Sequence, residues 1–75
     1  MKPKPYVHVN INLRKYNRYE FETYQELKKN LPFLIKESMN NEVFVFRSKT
    51  QDAVCYEYWS LNDKGKAILT REGCN

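Results

Sequence analysis

The sequence predicts a small α+β domain, with an antiparallel sheet of three to four strands and one broken helix (or two short helices) packed on one face. The expected order is β-α-β-β-β. Three observations predict it. Tyr6–Arg14 alternates apolar and polar residues, the period of a half-buried strand. Leu27, Leu31, Leu34 and Ile35 recur at i, i+4, i+7 and i+8, one face of a helix. Three apolar runs, Val43–Arg47, Ala53–Leu61 and Lys66–Arg71, then follow one another with turn residues between them, which suits a meander of strands.

In the first strand Val7, Val9, Ile11 and Leu13 point one way, and His8, Asn10, Asn12 and Arg14 the other. Lys15–Phe21 loses the alternation and reads as a basic, tyrosine-bearing loop with at most a short return strand at Tyr19–Phe21. Thr23-Tyr24-Gln25-Glu26 matches a capping box, so a helix starts near Tyr24. Pro32 removes a helical donor and disfavours α geometry at Leu31, which predicts a break into Tyr24–Asn30 and Pro32–Met39. Asn40-Asn41 ends the helical stretch.

Asn62-Asp63-Lys64-Gly65 suits a type I turn closed by a left-handed glycine. That register sets Trp59 opposite Leu69, Leu61 opposite Ala67 and Glu57 opposite Arg71. A four-residue turn at Lys49–Asp52 adds Phe44, Phe46 and Cys55 to the same, core-facing side. Val43, Val45, Arg47, Val54, Tyr56, Tyr58, Lys66, Ile68 and Thr70 then fall on the other face. A slip of one residue at the Lys49–Asp52 turn would exchange the faces of the Val43–Arg47 strand.

Residues 1–75 are read as one domain, near the lower size limit for a chain stabilised by burial alone. Met1–Pro5 is an extended basic lead-in, since its two prolines exclude a helix and it lacks the apolar run of a signal peptide. No stretch approaches the ~18 apolar residues of a membrane span. With no export signal, Cys55 and Cys74 are expected to be reduced thiols in a cytoplasmic protein, Cys55 buried in its strand. Residue usage is heavy in Lys, Asn, Tyr and Phe and poor in Gly, Ala and Pro. Such usage is similar to that of small AT-rich, phage-like reading frames.

Leu61-Asn62-Asp63-Lys64-Gly65-Lys66-Ala67-Ile68-Leu69 resembles the segment that follows the wing in winged-helix transcription regulators. The resemblance implies a helix capped by Asn62 and stopped at Gly73. The hairpin is the reading adopted, because Thr23–Asn41 is too short for an ordinary helix-turn-helix upstream. The element order is also similar to that of small toxin-type endoribonucleases. That likeness implies metal-free RNA cleavage with His8, Arg47, Tyr56 and Tyr58 as acid–base and phosphate-binding candidates.

The residues themselves favour a non-enzymatic module. His8 is the only histidine, and two cysteines in different contexts make no zinc ligand set. Gly65 and Gly73 are the only glycines, too few for a phosphate-binding loop. Neither a metal nor a cofactor is expected. The formal charge of +4 and eleven Tyr, Phe and Trp residues point instead to a sheet face that binds a partner. Rings supply stacking surfaces, cations meet phosphates and amides meet base edges. The candidate binding residues are His8, Arg14, Arg18, Arg47, Tyr56, Tyr58 and Lys66. Single-stranded nucleic acid is the expected partner. A protein target or a second copy of the chain is the alternative, since Tyr, Trp and Arg are enriched at protein interfaces too.

Overall fold

The computed structural model describes residues 3–49 and 53–75 (for Lys49, the backbone only), and the turn expected at Lys49–Asp52 lies largely outside them. The described chain is an α+β arrangement of one helix on an open, five-stranded antiparallel sheet. The elements run β1 (Tyr6–Asn12), β2 (Lys15–Glu20), α1 (Tyr24–Glu37), β3 (Glu42–Lys49), β4 (Val54–Leu61) and β5 (Ala67–Cys74). In the sheet the order is β2-β1-β3-β4-β5. β2 and β3 flank β1 and run parallel to each other, so α1 crosses over β1 and covers one face.

The strand beyond expectation is β2, whose polar sequence carries no alternation of its own. It forms by pairing. The Asn12 Oδ1 accepts the Arg14 amide at 2.9 Å and tightens the hairpin turn, after which Val9 meets Asn17 and Val7 meets Tyr19. Tyr19 completes the link by donating its hydroxyl to Glu37 of α1 at 2.8 Å. A polar, charged sequence suits an edge strand, where it discourages pairing with other chains.

The apolar stripe of β1 stops at Val9. Ile11 is 38% and Leu13 91% exposed, against the expectation that both would be core. β3 pairs β1 only from Tyr6 to His8, and the Met39 amide donates to the Asn10 carbonyl at 2.8 Å. Beyond that bond neither β3 nor α1 covers β1, which there has β2 alone beside it.

α1 begins as its cap predicts, with Thr23 Oγ1 accepting the Glu26 amide at 3.1 Å. The expected break does not occur: α1 runs unbroken through Pro32. A proline in a helix interior costs about 3 kcal/mol. Leu27, Leu31, Leu34 and Ile35 lie on both sides of it and are all buried, at roughly 1.5–3 kcal/mol each. Their combined burial against the sheet outweighs the lost bond. The helix ends at Ser38, which caps the Ile35 carbonyl, and Asn41 takes the left-handed conformation (φ 57°) that asparagine tolerates.

The core lies between α1 and the sheet: the four helix residues meet Val7, Val9, Val43 and Val45, with Trp59, Leu61, Ala67 and Phe21 at its margin. Val43 and Val45 therefore occupy the core side, and Phe44 and Phe46 the open side, reversing the expected faces of β3. An all-apolar run has no alternation to orient it, and the pairings Tyr6–Phe46 and Phe46–Tyr56 fix the phase.

Past Asn62–Lys66 the chain is the hairpin strand β5, not the helix of the winged-helix likeness. Gly65 is left-handed (φ 79°) as expected. Trp59–Leu69 and Leu61–Ala67 pair as expected, but a bulge at Thr70 then shifts the ladder so that Tyr58 meets Arg71 and Glu57 meets Glu72. The two cysteines, expected as free thiols, form a Cys55–Cys74 disulfide at directly opposed positions of β4 and β5.

Candidate functional site

Strand alternation and the Thr70 bulge assemble two rows of side chains across the uncovered face. One row is Arg18, His8, Phe44, Tyr58 and Arg71, one residue from each strand in spatial order. The other is Glu20, Tyr6, Phe46, Tyr56 and Gly73. The rings form a continuous sheet of contacts. Tyr6 stacks on Phe46 with centroids 4.9 Å apart and planes 15° apart. Phe44 meets Tyr58 edge-on at 5.4 Å, and His8 lies 4.8 Å from Tyr6 and 4.7 Å from Tyr16.

Each end of the stripe carries a guanidinium. Arg18 lies 3.9 Å over the Tyr6 ring and Arg71 4.2 Å over the Tyr58 ring. The two arginines stand on the two edge strands, about 19 Å apart at four interstrand spacings. Arg18 has a loose partner in Glu20 at 3.8 Å. Arg71 makes no ion pair among the described residues. Its charge is left free.

At the β5 end the Tyr56 ring lies on Gly73. A Cβ there would sit 2.8 Å from the Tyr56 hydroxyl oxygen and 3.0 Å from Cζ, so any other residue would displace the ring. At the β1 end His8 Nε2 is buried beneath the rings with no hydrogen-bond partner among the described residues. That burial, with the positive charge of Arg18, lowers the His8 pKa below the ordinary histidine value.

Of the expected binding residues, the open face brings together His8, Arg18, Tyr56 and Tyr58. Arg14 sits exposed in the β1–β2 turn and Lys66 exposed at the end of the β4–β5 turn, outside the two rows. Arg47 is on the wrong face. It is the extra residue of a β3 bulge between Phe46 and Ser48, and its guanidinium lies on the helix side, 3.8 Å from Glu57 and 4.9 Å from the Tyr24 ring. The ribonuclease set His8, Arg47, Tyr56 and Tyr58 is therefore divided between two faces. Tyr6, Phe44, Phe46 and Arg71 complete the open face but were not expected there. Tyr6 was legible, being in phase with His8, whereas Arg71 depends on the bulge.

The helix side holds a second polar cluster. Glu57, 2% exposed, accepts the Tyr24 hydroxyl at 2.7 and 2.8 Å and the Trp59 indole N–H at 2.9 Å. Burial and then the bond to Glu57 push the Tyr24 phenol well above the ordinary tyrosine pKa. Beyond α1 this cluster opens into a concavity of about 390 Å³ lined by Arg47, Glu57, Glu72 and the Cys55–Cys74 bridge. Among the described residues no group of three or more His, Cys, Asp or Glu is placed to hold a metal ion, and no helix is long and apolar enough to cross a membrane.

Comparison with family models, curated proteins and solved structures finds no match for this chain.

Proposed function

We propose that the protein is a non-enzymatic regulatory module that binds single-stranded RNA or DNA across the open face of its sheet. The observation that supports this most is the Arg18–His8–Phe44–Tyr58–Arg71 row, which spans all five strands and begins and ends on arginine. Arginine planes and tyrosine rings stack on bases, and each stacked base is worth about 1–3 kcal/mol. The arginines would also hold phosphates at the two rims, with Tyr56 meeting a base edge between them and His8 packing beneath the rings. A net charge of +4 favours a polyanion. The site of action proposed is the cytoplasm, where a disulfide is usually a transient or sensing bond.

One observation favours a protein partner instead, a second copy of the chain included. Tyr6 presents its faces to Phe46 and Arg18, so its edge is what remains for a ligand, and tyrosine edges with arginines are common protein-interface anchors.

The test is a salt titration of binding to a labelled, mixed-sequence single-stranded RNA. Two phosphate contacts predict a log–log slope of about −1.4, at roughly −0.7 per contact on a single strand. Micromolar binding with that slope, weakened by Tyr58→Ala, supports nucleic acid. No binding at low salt overturns it, and a salt-insensitive dimer or captured protein would then identify the face as a protein interface.

A further inference from the structure

We propose that the Cys55–Cys74 disulfide is a redox clasp that holds the arginine end of the open face in place, and that its reduction releases this end. The inference rests on the proposed nucleic-acid reading for its effect on binding, but not for its effect on the strand.

β5 is an edge strand held in the sheet by β4 alone. Between the Thr70 bulge and Cys74 lie Arg71, Glu72 and Gly73, of which Arg71 and Gly73 are the β5 members of the two open-face rows. Two features weaken this short piece. The bulge interrupts the ladder at its upstream end. Glu72 also lies directly opposite Glu57, and like charges opposed across a strand pair are destabilising.

The disulfide closes the downstream end. Cys55 and Cys74 are a facing pair with Cα atoms 4.1 Å apart, and beside them Val54 and Asn75 exchange both backbone bonds at 3.0 and 2.9 Å. Cys74 is exposed and Cys55 half-buried, so a dithiol reductant reaches the bond. Its first thiolate attacks one sulfur and displaces the other as thiolate, giving a mixed disulfide. Its second thiolate then resolves that bond. The reductant leaves as a disulfide, and two electrons and two protons pass to Cys55 and Cys74.

Without the clasp, residues 71–75 keep only β-ladder bonds next to a bulge and a carboxylate pair. Arg71 then leaves Tyr58, and Gly73 no longer seats Tyr56. The helix-side core, built on β1, β3 and α1, is untouched.

The experiment follows amide hydrogen exchange and binding of the mixed-sequence RNA at low salt. It compares the oxidised protein, the protein in dithiothreitol and the double variant Cys55→Ser/Cys74→Ser. Reduction should speed exchange at residues 71–75 about tenfold or more while Val7, Val9 and Val45 stay protected. It should weaken RNA binding about fivefold, and the double variant should match the reduced form with or without dithiothreitol. Unchanged exchange at 71–75, or equal loss of protection in the core, overturns the clasp. Faster exchange with unchanged RNA affinity overturns the control of binding and leaves the nucleic-acid reading standing. If the oxidised protein binds no RNA, that reading falls together with the control of binding, while exchange still decides the clasp.

Discussion

The Arg71 guanidinium stands 4.2 Å over the Tyr58 ring and makes no ion pair among the described residues. It is thus a free charge on an aromatic support, at the rim of a face whose other rim carries Arg18 over Tyr6. Arg71→Ala should leave the fold within about 0.5 kcal/mol of the parent, as exposed substitutions do. It should also lower the magnitude of the salt slope of RNA binding by about 0.7, one phosphate contact. A fluorescence anisotropy titration at several salt concentrations reads both affinity and slope; an unchanged slope would remove Arg71 from the interface.

Gly73 gives the open face its second check. A Cβ at this position meets the Tyr56 hydroxyl at 2.8 Å, so Gly73→Ala must swing the ring away. The strand itself tolerates alanine, and stability should change by less than about 1 kcal/mol. RNA affinity should fall, and Tyr56→Ala should add little to Gly73→Ala, because both remove the same seated ring. Additive losses in that double-mutant cycle would show that Tyr56 binds RNA from some other position.

Glu57 is anchored by Tyr24, so removing the Tyr24 hydroxyl strips a hydrogen bond from a carboxylate that is 2% exposed. Tyr24→Phe should cost about 1–3 kcal/mol in urea denaturation. The phenol also links stability to alkaline pH. Its folded pKa is raised, so the unfolded chain loses this proton first, near the ordinary tyrosine value of about 10. The contribution is fully present below that value and is lost as pH rises from there towards the raised folded value. Tyr24→Phe should flatten the alkaline decline, and a parallel decline in both proteins would count against the assignment.

Phe46 and Phe33 separate burial from hydrophobicity. Phe46 is 7% exposed on the open face, covered by neighbouring rings, whereas Phe33 is 69% exposed on the outer side of α1. Phe46→Ala should destabilise by about 3 kcal/mol and Phe33→Ala by less than about 0.5 kcal/mol. Equal costs in chemical denaturation would mean that the rings of the open face do not pack as a second apolar layer.

His8 sets the response to mild acid. Its folded pKa is depressed by burial and by Arg18, so the unfolded chain takes up the proton first. Stability is fully present above the ordinary histidine value of about 6.5 and declines as pH falls from there towards the lower folded value. His8→Gln should abolish that part of the decline. Thermal melts between pH 7.5 and 5.5 would show it, and identical profiles for the two proteins would rule His8 out as the cause.

Local sequence signals suffice for the α+β class, the start and buried stripe of α1 and most of the hairpin at the C-terminus. A capping box at Thr23, a four-residue apolar stripe on α1 and the left-handed Gly65 turn are local signals, each read from a few neighbouring residues. Tertiary structure decided the rest. Pro32 was overruled because both halves of α1 bury leucines on one sheet. Lys15–Glu20 became a strand because β1 offered it a partner. The faces of Val43–Phe46 depend on pairing with β1 and β4, since a run that is apolar at every position is equally suited to either phase. Arg71 reached the open face through the ladder irregularity near Tyr58, whereas Arg47 left it together with Val43 and Val45 when the phase of β3 reversed. A bulge inserts one residue and inverts every side chain beyond it, and nothing in the local sequence announces it. The disulfide follows from the same register, because two cysteines can bond only when the strands have set them opposite one another. Local chemistry therefore settled where β1, the start of α1 and the C-terminal hairpin form. Which side chains share a face was settled by how the strands met.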